Sequence, residues 1–353
     1  MNVTYFTGAG ASAQAIPIWK WQAYSMIDAQ KLLNRDYGHQ GLNIRLEPYN
    51  ATSFKTGTPE RILRDITWFG YKALEFGTID TYAKKLFLNE NWELLRYLRA
   101  AVSLHLSLIE CTEDYPPFSV DANSNIKTGS IDSRYISLFA KILDSEKGNV
   151  YLKHDYSFIT WNYDLQLQRA MREFFRYASE EELGPIIQKA LSMKFSNGNR
   201  KVEEQLINLN GHHGAFLNSN KNQLQFYIDR ANLKDKTTSS FLNELSFVSQ
   251  SLSRDQIDFS SSIRYAWERT AAEQHLQKAK DIISMTHTLV IVGYSFPVFN
   301  RTIDRELLDV KTLPLKEIII QDPFLDVNFF KNEFKIPKHI SVNKQDPSQF
   351  YVA

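Results

Sequence analysis

Short apolar runs rich in β-branched and aromatic residues recur along the chain, separated by long spans of helical periodicity. The clearest are Val3 to Phe6, Tyr156 to Trp161, Leu206 to Leu209, Thr288 to Val292 and Lys316 to Ile320, with a weaker one at Ile340 to Val342. Runs this short and this continuously apolar predict strands buried on both faces. Between them, apolar positions recur at three- and four-residue steps. This spacing predicts helices over Leu94 to Ile109, Leu165 to Tyr177, Pro185 to Lys194 and Arg264 to Ser284. Pro185 suits a first helical turn, where its missing N–H costs nothing. Strands alternating with helices predict an α/β fold, a Rossmann-like parallel sheet with helices on both faces.

The spacing of the strands is uneven. About 150 residues separate the first clear strand from the second, and that gap is largely helical from Glu60 onward. It is too long for one crossover and predicts a large helical insertion over roughly 60–150, with further helices across 165–285. The Rossmann core then occupies roughly 1–20, 150–215 and 285–345 of a single domain, 1–353. Asn43 to Tyr49 is a candidate for an additional strand, while Asp121 to Ser133 and Ser249 to Ser262 read as polar loops or hinges.

Composition narrows the function classes. The 353 residues carry 41 Lys+Arg against 40 Asp+Glu, so no chain-wide basic footprint points to nucleic acid. At 43% hydrophobic and 13% aromatic, the chain has ample material for a core. The one cysteine, Cys111, forbids an internal disulfide and a cysteine-based zinc cluster, so no zinc ribbon is expected. No apolar stretch reaches membrane-spanning length and a strand-like run begins at Val3; the expected compartment is the cytoplasm.

The segment Thr7-Gly8-Ala9-Gly10-Ala11-Ser12-Ala13 follows the first strand directly. Gly8 and Gly10 permit a tight turn and close approach of a phosphate, and a helix beginning near Ser12 would aim free N–H groups at a pyrophosphate. A plain tight turn has the same composition. No acidic residue ends a second strand some 20 residues later, which disfavours an ordinary dehydrogenase, and no P-loop occurs.

Ligands in open α/β sheets sit beyond the carboxyl ends of the strands. Here those ends carry unusual polar residues: Thr160-Trp161-Asn162-Tyr163-Asp164, Asn210-Gly211-His212-His213-Gly214, Gly293-Tyr294-Ser295-Phe296-Pro297, and Gln321-Asp322-Pro323. Each has a plainer reading: Asn162 or Asp164 as a helix cap, His213 as a turn residue, Gly293 as a packing glycine, Asp322 as a turn initiator.

Taken in order, these motifs resemble the sirtuin superfamily: Gly8-Ala9-Gly10-Ala11-Ser12 with Ile16-Pro17, then Thr160, Asn162 and Asp164, then His213-Gly214, then Gly293-Tyr294-Ser295 with Pro297, then Gln321-Asp322. The chain departs from the deacetylating branch, whose four-cysteine zinc ribbon it lacks and whose Asp-Phe-Arg is replaced after Pro17 by Ile18-Trp19-Lys20. The Thr-x-Asn-Tyr-Asp and Gly-Tyr-Ser motifs, with the segment from Thr78 to Leu86, resemble the sirtuin-like NADases of bacterial anti-phage defence. The resemblance implies hydrolysis of NAD, as substrate, to nicotinamide and ADP-ribose.

It also implies a homo-oligomer, and the chain's length resembles members paired with a HerA-type ATPase. No metal, membrane or intrinsic nucleic-acid partner is expected. By the same resemblance Asn162 and His213 are the catalytic pair, with His212 the adjacent competitor. Asp164 would hydrogen-bond the nicotinamide carboxamide, and Thr160 would also contact NAD. Gly8, Ala9, Gly10 and Ser12 would hold the pyrophosphate, and Gly293, Ser295, Gln321 and Asp322 the adenosine half. An Asn amide both donates and accepts, and a histidine can take a proton near neutral pH, so both residue types suit delivery of water to a ribose carbon. A deacylase, or a non-catalytic module that binds NAD or ADP-ribose, are the competing readings. Trp19 and Trp21, just past the glycine turn, read as core or as a lid.

Overall fold

Six strands lie parallel in one sheet: β1 (Val3–Thr7), β2 (Tyr156–Thr160), β3 (Leu206–Asn208), β4 (Thr288–Val292), β5 (Glu317–Gln321) and β6 (Ser341–Lys344). In this computed structural model the sheet order is β6-β5-β4-β1-β2-β3, the Rossmann arrangement, in which strand order reverses beside β1. The description covers residues 1–18, 20–49, 54–112, 114–115, 118–119, 125–126, 129–146, 149–153, 155–175, 205–218, 223–226, 237–253, 259–309 and 314–352. The expected helix Pro185 to Lys194 and Trp19 lie outside the described residues.

The chain divides into two units, one of Met1–Gln14, Ile131–Gly211 and Arg264–Ala353, the other of Ala15–Ser130 and His212–Ile263. The sheet belongs to the first. Strand alternation sends its side chains to two cores. Phe6, Ile159, Leu289, Ile291, Ile318 and Ile320 pack on one face against the helices Arg269–Ile283, Arg301–Leu307 and Val327–Glu333. Tyr5, Phe158, Val290, Val292 and Ile319 pack on the other against Ser133–Ile142 and Gln166–Arg172. Each such fully buried aliphatic or aromatic side chain is worth roughly 1.5–3 kcal/mol relative to exposure. Helices on both faces follow from strands that are apolar on both sides.

The register places the functional motifs. Thr7 pairs with Thr160 on one side and Val292 on the other; Thr160 pairs with Asn208, and Val292 with Gln321. Five strands therefore end level, and the residues following each emerge along one edge.

The second unit holds the helices Lys20–Asp28, Gln30–Asp36, Pro59–Glu75, Ile79–Leu88, Trp92–Cys111 and Thr238–Ser253. Pro59 opens its helix behind Thr58, whose hydroxyl accepts from the Arg61 N–H; Thr78 and Asn91 cap the next two in the same way. A three-stranded antiparallel sheet joins Phe259–Ser261, Ala215–Asn218 and Gln223–Phe226.

Two expectations are corrected here. Asn43 to Tyr49 is no strand, since Ile44–Leu46 forms a short 3₁₀ turn that buries Ile44, and β2 follows β1 directly in the sheet. Ser249 to Ser262 is no continuous loop, because the helix runs to Ser253 and a strand begins at Phe259. The serines fit the helix by returning their hydroxyls to its own carbonyls, Ser246 to Leu242 and Ser253 to Gln250, while Val248 and Leu252 bury its face.

Candidate functional site

The glycine turn leaves β1 as a 3₁₀ helix, Ala9–Ser12, and the next α-helix begins only at Lys20. The expected helix start at Ser12 is therefore absent, and no α-helix N-terminus opens there. The glycines have another role. Gly8 donates to Val292 O at 3.0 Å and Gly10 to Gly293 O at 2.9 Å, so two strand-end loops cross backbone to backbone. A Cβ on Gly8 would sit 2.4 Å from Tyr294 Cδ2, and one on Gly293 2.2 Å from Ala11 N. Gly293 also has φ of +56°, a conformation open to glycine. Ala11 N–H returns to Gly8 O, so the amides of Gly8, Gly10 and Ala11 are all committed within this crossing. Ala9 is exposed at its tip.

Directly beside the crossing, three side chains from two strand ends meet. Ser12 Oγ donates to Asp164 Oδ1 at 3.0 Å, and Asn162 Nδ2 donates to Ser12 Oγ at 3.2 Å. All three residues are buried. Asp164 Oδ1 also accepts the Gln166 N–H at 3.1 Å, which braces the turn into the helix Gln166–Arg172; the cap position itself is Leu165. Thr160 Oγ1 accepts the Asn162 N–H at 3.0 Å, fixing the turn that follows β2.

The hydrogen bonds dictate how the Asn162 amide faces. A serine has one hydroxyl proton, and here it goes to the Asp164 carboxylate, so toward Asn162 the oxygen can only accept. The NH₂ end must face Ser12, and the Oδ1 end faces away; among the described residues nothing donates to it. Tyr135 backs this group. Burial raises its phenol pKa far above the ordinary range, and the Asp164 charge adds to that. It stays a neutral phenol at any ordinary pH.

A second layer, unforeseen in the sequence, holds the crossing from behind. Asp132 caps the helix Ser133–Ile142, accepting the Arg134 N–H, and its carboxylate pairs with the Arg134 guanidinium at 2.6 Å. The same Arg134 Nη2 donates to Gly10 O and Ala11 O, at 3.1 and 3.2 Å, while Asp132 Oδ2 accepts the Gln14 N–H. An Asp-x-Arg at a helix start was the available signal.

The adenosine-side candidates separate. Gln321 is saturated: Nε2 donates to Asp346 O and Gln349 O, and Oε1 accepts the Tyr351 N–H, so it straps the following segment to the sheet edge. Asp322 accepts from Phe324 and Leu325 N–H, a turn initiator as its plainer reading had it. Ser295 is exposed in a loop bracketed by two positive-φ residues, Gly293 and Phe296.

His213 belongs to the second unit. It is fully buried, its Nε2 paired with Glu110 Oε2 and its Nδ1 2.9 Å from Ser107 Oγ. Ser103, Ser107 and Glu110 follow one face of the helix Trp92–Cys111 at steps of four and three. Polar residues at that spacing within the apolar stretch Ala100 to Cys111 were the overlooked signal. His212 is half-buried and its Nδ1 lies 2.8 Å from the carbonyl of His213.

Among the described residues no group of three or more His, Cys, Asp or Glu is placed to hold a metal ion, and no helix is long and apolar enough to cross a membrane. Cys111 is buried. The fold and strand-end cluster define a Rossmann-like α/β protein. No family model matches the chain, and no curated protein matches its sequence.

Proposed function

We propose that the protein hydrolyses NAD to nicotinamide and ADP-ribose. The observation that carries this is the Asn162 amide, locked by Ser12 with its acceptor end open, at the carboxyl edge of a dinucleotide-type sheet. The nicotinamide of NAD is cationic and leaves as a neutral ring, so no acid is needed. What the reaction requires is a held water, support for developing positive charge on the ribose, and a base. Asn162 Oδ1 accepts from the water or from a ribose hydroxyl. The water oxygen bonds to the anomeric carbon as the bond to nicotinamide breaks, and the water's proton passes to a base, the role that the sirtuin-like resemblance assigns to His213. Asp164 receives the nicotinamide carboxamide, and the exposed tip of the glycine turn faces the pyrophosphate.

The same resemblance extends the proposal to an oligomer, activated by a HerA-type ATPase, that depletes NAD in anti-phage defence. One observation favours a second reading. Both ring nitrogens of His213 are engaged within its own unit, as suits a module that binds NAD or ADP-ribose without turnover.

Incubating the purified protein with NAD and separating products by chromatography tests the proposal. Nicotinamide and ADP-ribose formed without any acyl-lysine peptide support it. Release only with peptide makes the protein a deacylase. Binding without release, even with the ATPase added, favours the second reading.

A further inference from the structure

Two groups flank the His213 ring, and they differ in kind. Glu110 brings a carboxyl oxygen to Nε2, and Ser107 a hydroxyl to Nδ1 at 2.9 Å. Glu110, Ser107 and His213 are all buried. A carboxylate only accepts, whereas a hydroxyl can donate or accept. Ser107 Oγ also lies 2.8 Å from Ser103 O, so its proton can turn either to that carbonyl or to the ring. Gly214 N–H donates to Ser103 Oγ at 2.9 Å, tying the histidine turn to the same helix face.

We infer that Glu110 is a positioning residue for His213, which holds a proton on Nε2 and leaves Nδ1 as the basic nitrogen. The inference rests on the reading of His213 as the base in NAD cleavage. An imidazole N–H given to a carboxylate fixes both tautomer and ring orientation, and the carboxylate stabilises the imidazolium formed when the other nitrogen takes a proton. Ser107 then stands at the basic nitrogen, in the place where a water or ribose hydroxyl would bond. In the step itself that hydroxyl's proton moves to Nδ1, Nε2 keeps its own, and the imidazolium remains paired with Glu110. The arrangement is not a serine nucleophile's triad: the Ser107 hydroxyl is buried, and the serine and acid stand on opposite nitrogens from that pattern.

The test has two independent readouts. Nitrogen NMR of histidine-labelled protein at alkaline pH, with the His213 signals assigned by their loss in His213→Ala, reports the tautomer without any substrate. The expected result is a proton on Nε2 in the wild type and a mixed or reversed tautomer in Glu110→Gln. A lone proton on Nδ1 in the wild type, or a tautomer unchanged in Glu110→Gln, overturns the inference. Kinetics supply the second readout. Glu110→Gln is expected to lower kcat by roughly 10²–10⁴-fold, the range of a general base, with little change in KM, and Glu110→Asp to recover part of the loss. A Gln variant that keeps wild-type kcat overturns the inference. Wild-type protein that cleaves no NAD overturns the NADase reading, and the tautomer still decides the role of Glu110.

Discussion

Ser12 Oγ donates to Asp164 Oδ1 at 3.0 Å, and that bond sets the direction of a third residue's amide. With its single proton given to the carboxylate, Ser12 offers Asn162 only a lone pair, so Asn162 turns its NH₂ inward and its oxygen outward. Two short motifs distant in sequence thus form one device because β1 and β2 are adjacent, parallel and end level.

Ser12→Ala removes the bridge. Asp164 loses a donor in a buried site, at a cost of about 1–3 kcal/mol, and the Asn162 amide is released to rotate. The expected outcome is a folded protein with a lower urea midpoint and NAD cleavage reduced nearly as far as in Asn162→Ala. Full activity in Ser12→Ala would show that the amide is held by something else.

Two glycines give a contrast in backbone cost. Gly293→Ala puts a Cβ 2.2 Å from backbone atoms of the glycine turn at φ of +56°. Neither backbone can give way, so the variant should lose more stability than the roughly 1–3 kcal/mol of positive φ alone and should express poorly. Gly38→Ala has φ of +70° with nothing within 4 Å, and carries only the conformational cost. Thermal melts of the two variants separate packing from φ.

Arg134 and Asp132 form a buried pair that also grips Gly10 O and Ala11 O. Removing one partner leaves an uncompensated charge, so Arg134→Ala should cost about 3–5 kcal/mol. The double variant Asp132→Ala/Arg134→Ala should cost less than the sum of the two singles. A denaturant double-mutant cycle measures the coupling; additive effects would mean the pair is not a unit.

The strands were legible because each is a run of β-branched and aromatic residues buried on both faces; Thr288 to Val292 was read to the residue. The edge strand Ser341–Lys344 is mostly exposed, so its pattern was weak. Asn162 and Asp164 stood out because they are polar residues at a strand end. Their bond partners were not legible. Ser12 was read as a pyrophosphate contact, and its contact with Asp164 spans 152 positions of sequence. Glu110 reaches His213 across 103 positions, and nothing in local periodicity encodes such a pairing. That Gln321 also ties down the segment 346–351 was not legible, because its partners lie 25 to 30 positions away in sequence.

His105 makes the second unit sensitive to acid. Burial lowers its pKa from 6.5 to about 3, and its Nδ1 contacts the Tyr115 hydroxyl at 3.1 Å. The folded protein holds it neutral while the unfolded chain protonates it. Its stabilising contribution is therefore complete above about pH 6.5 and is lost as pH falls from there toward 3. The full shift corresponds to roughly 4–5 kcal/mol. His105→Gln should flatten the fall in urea midpoint across that window, even if it is less stable at neutral pH. An equal slope in both proteins would place the acid sensitivity elsewhere.

If the Asn162 amide acts on NAD after binding, Asn162→Ala should separate binding from turnover. Calorimetry gives the affinity for NAD, and nicotinamide release gives the rate, for wild type and variant under the same activating conditions. The expected result is an NAD affinity within a few-fold of wild type and a turnover lowered by at least about 10²-fold, the scale of one preorganised hydrogen-bonding group at a reacting centre. A variant that binds NAD and releases nicotinamide as fast as the wild type would contradict it.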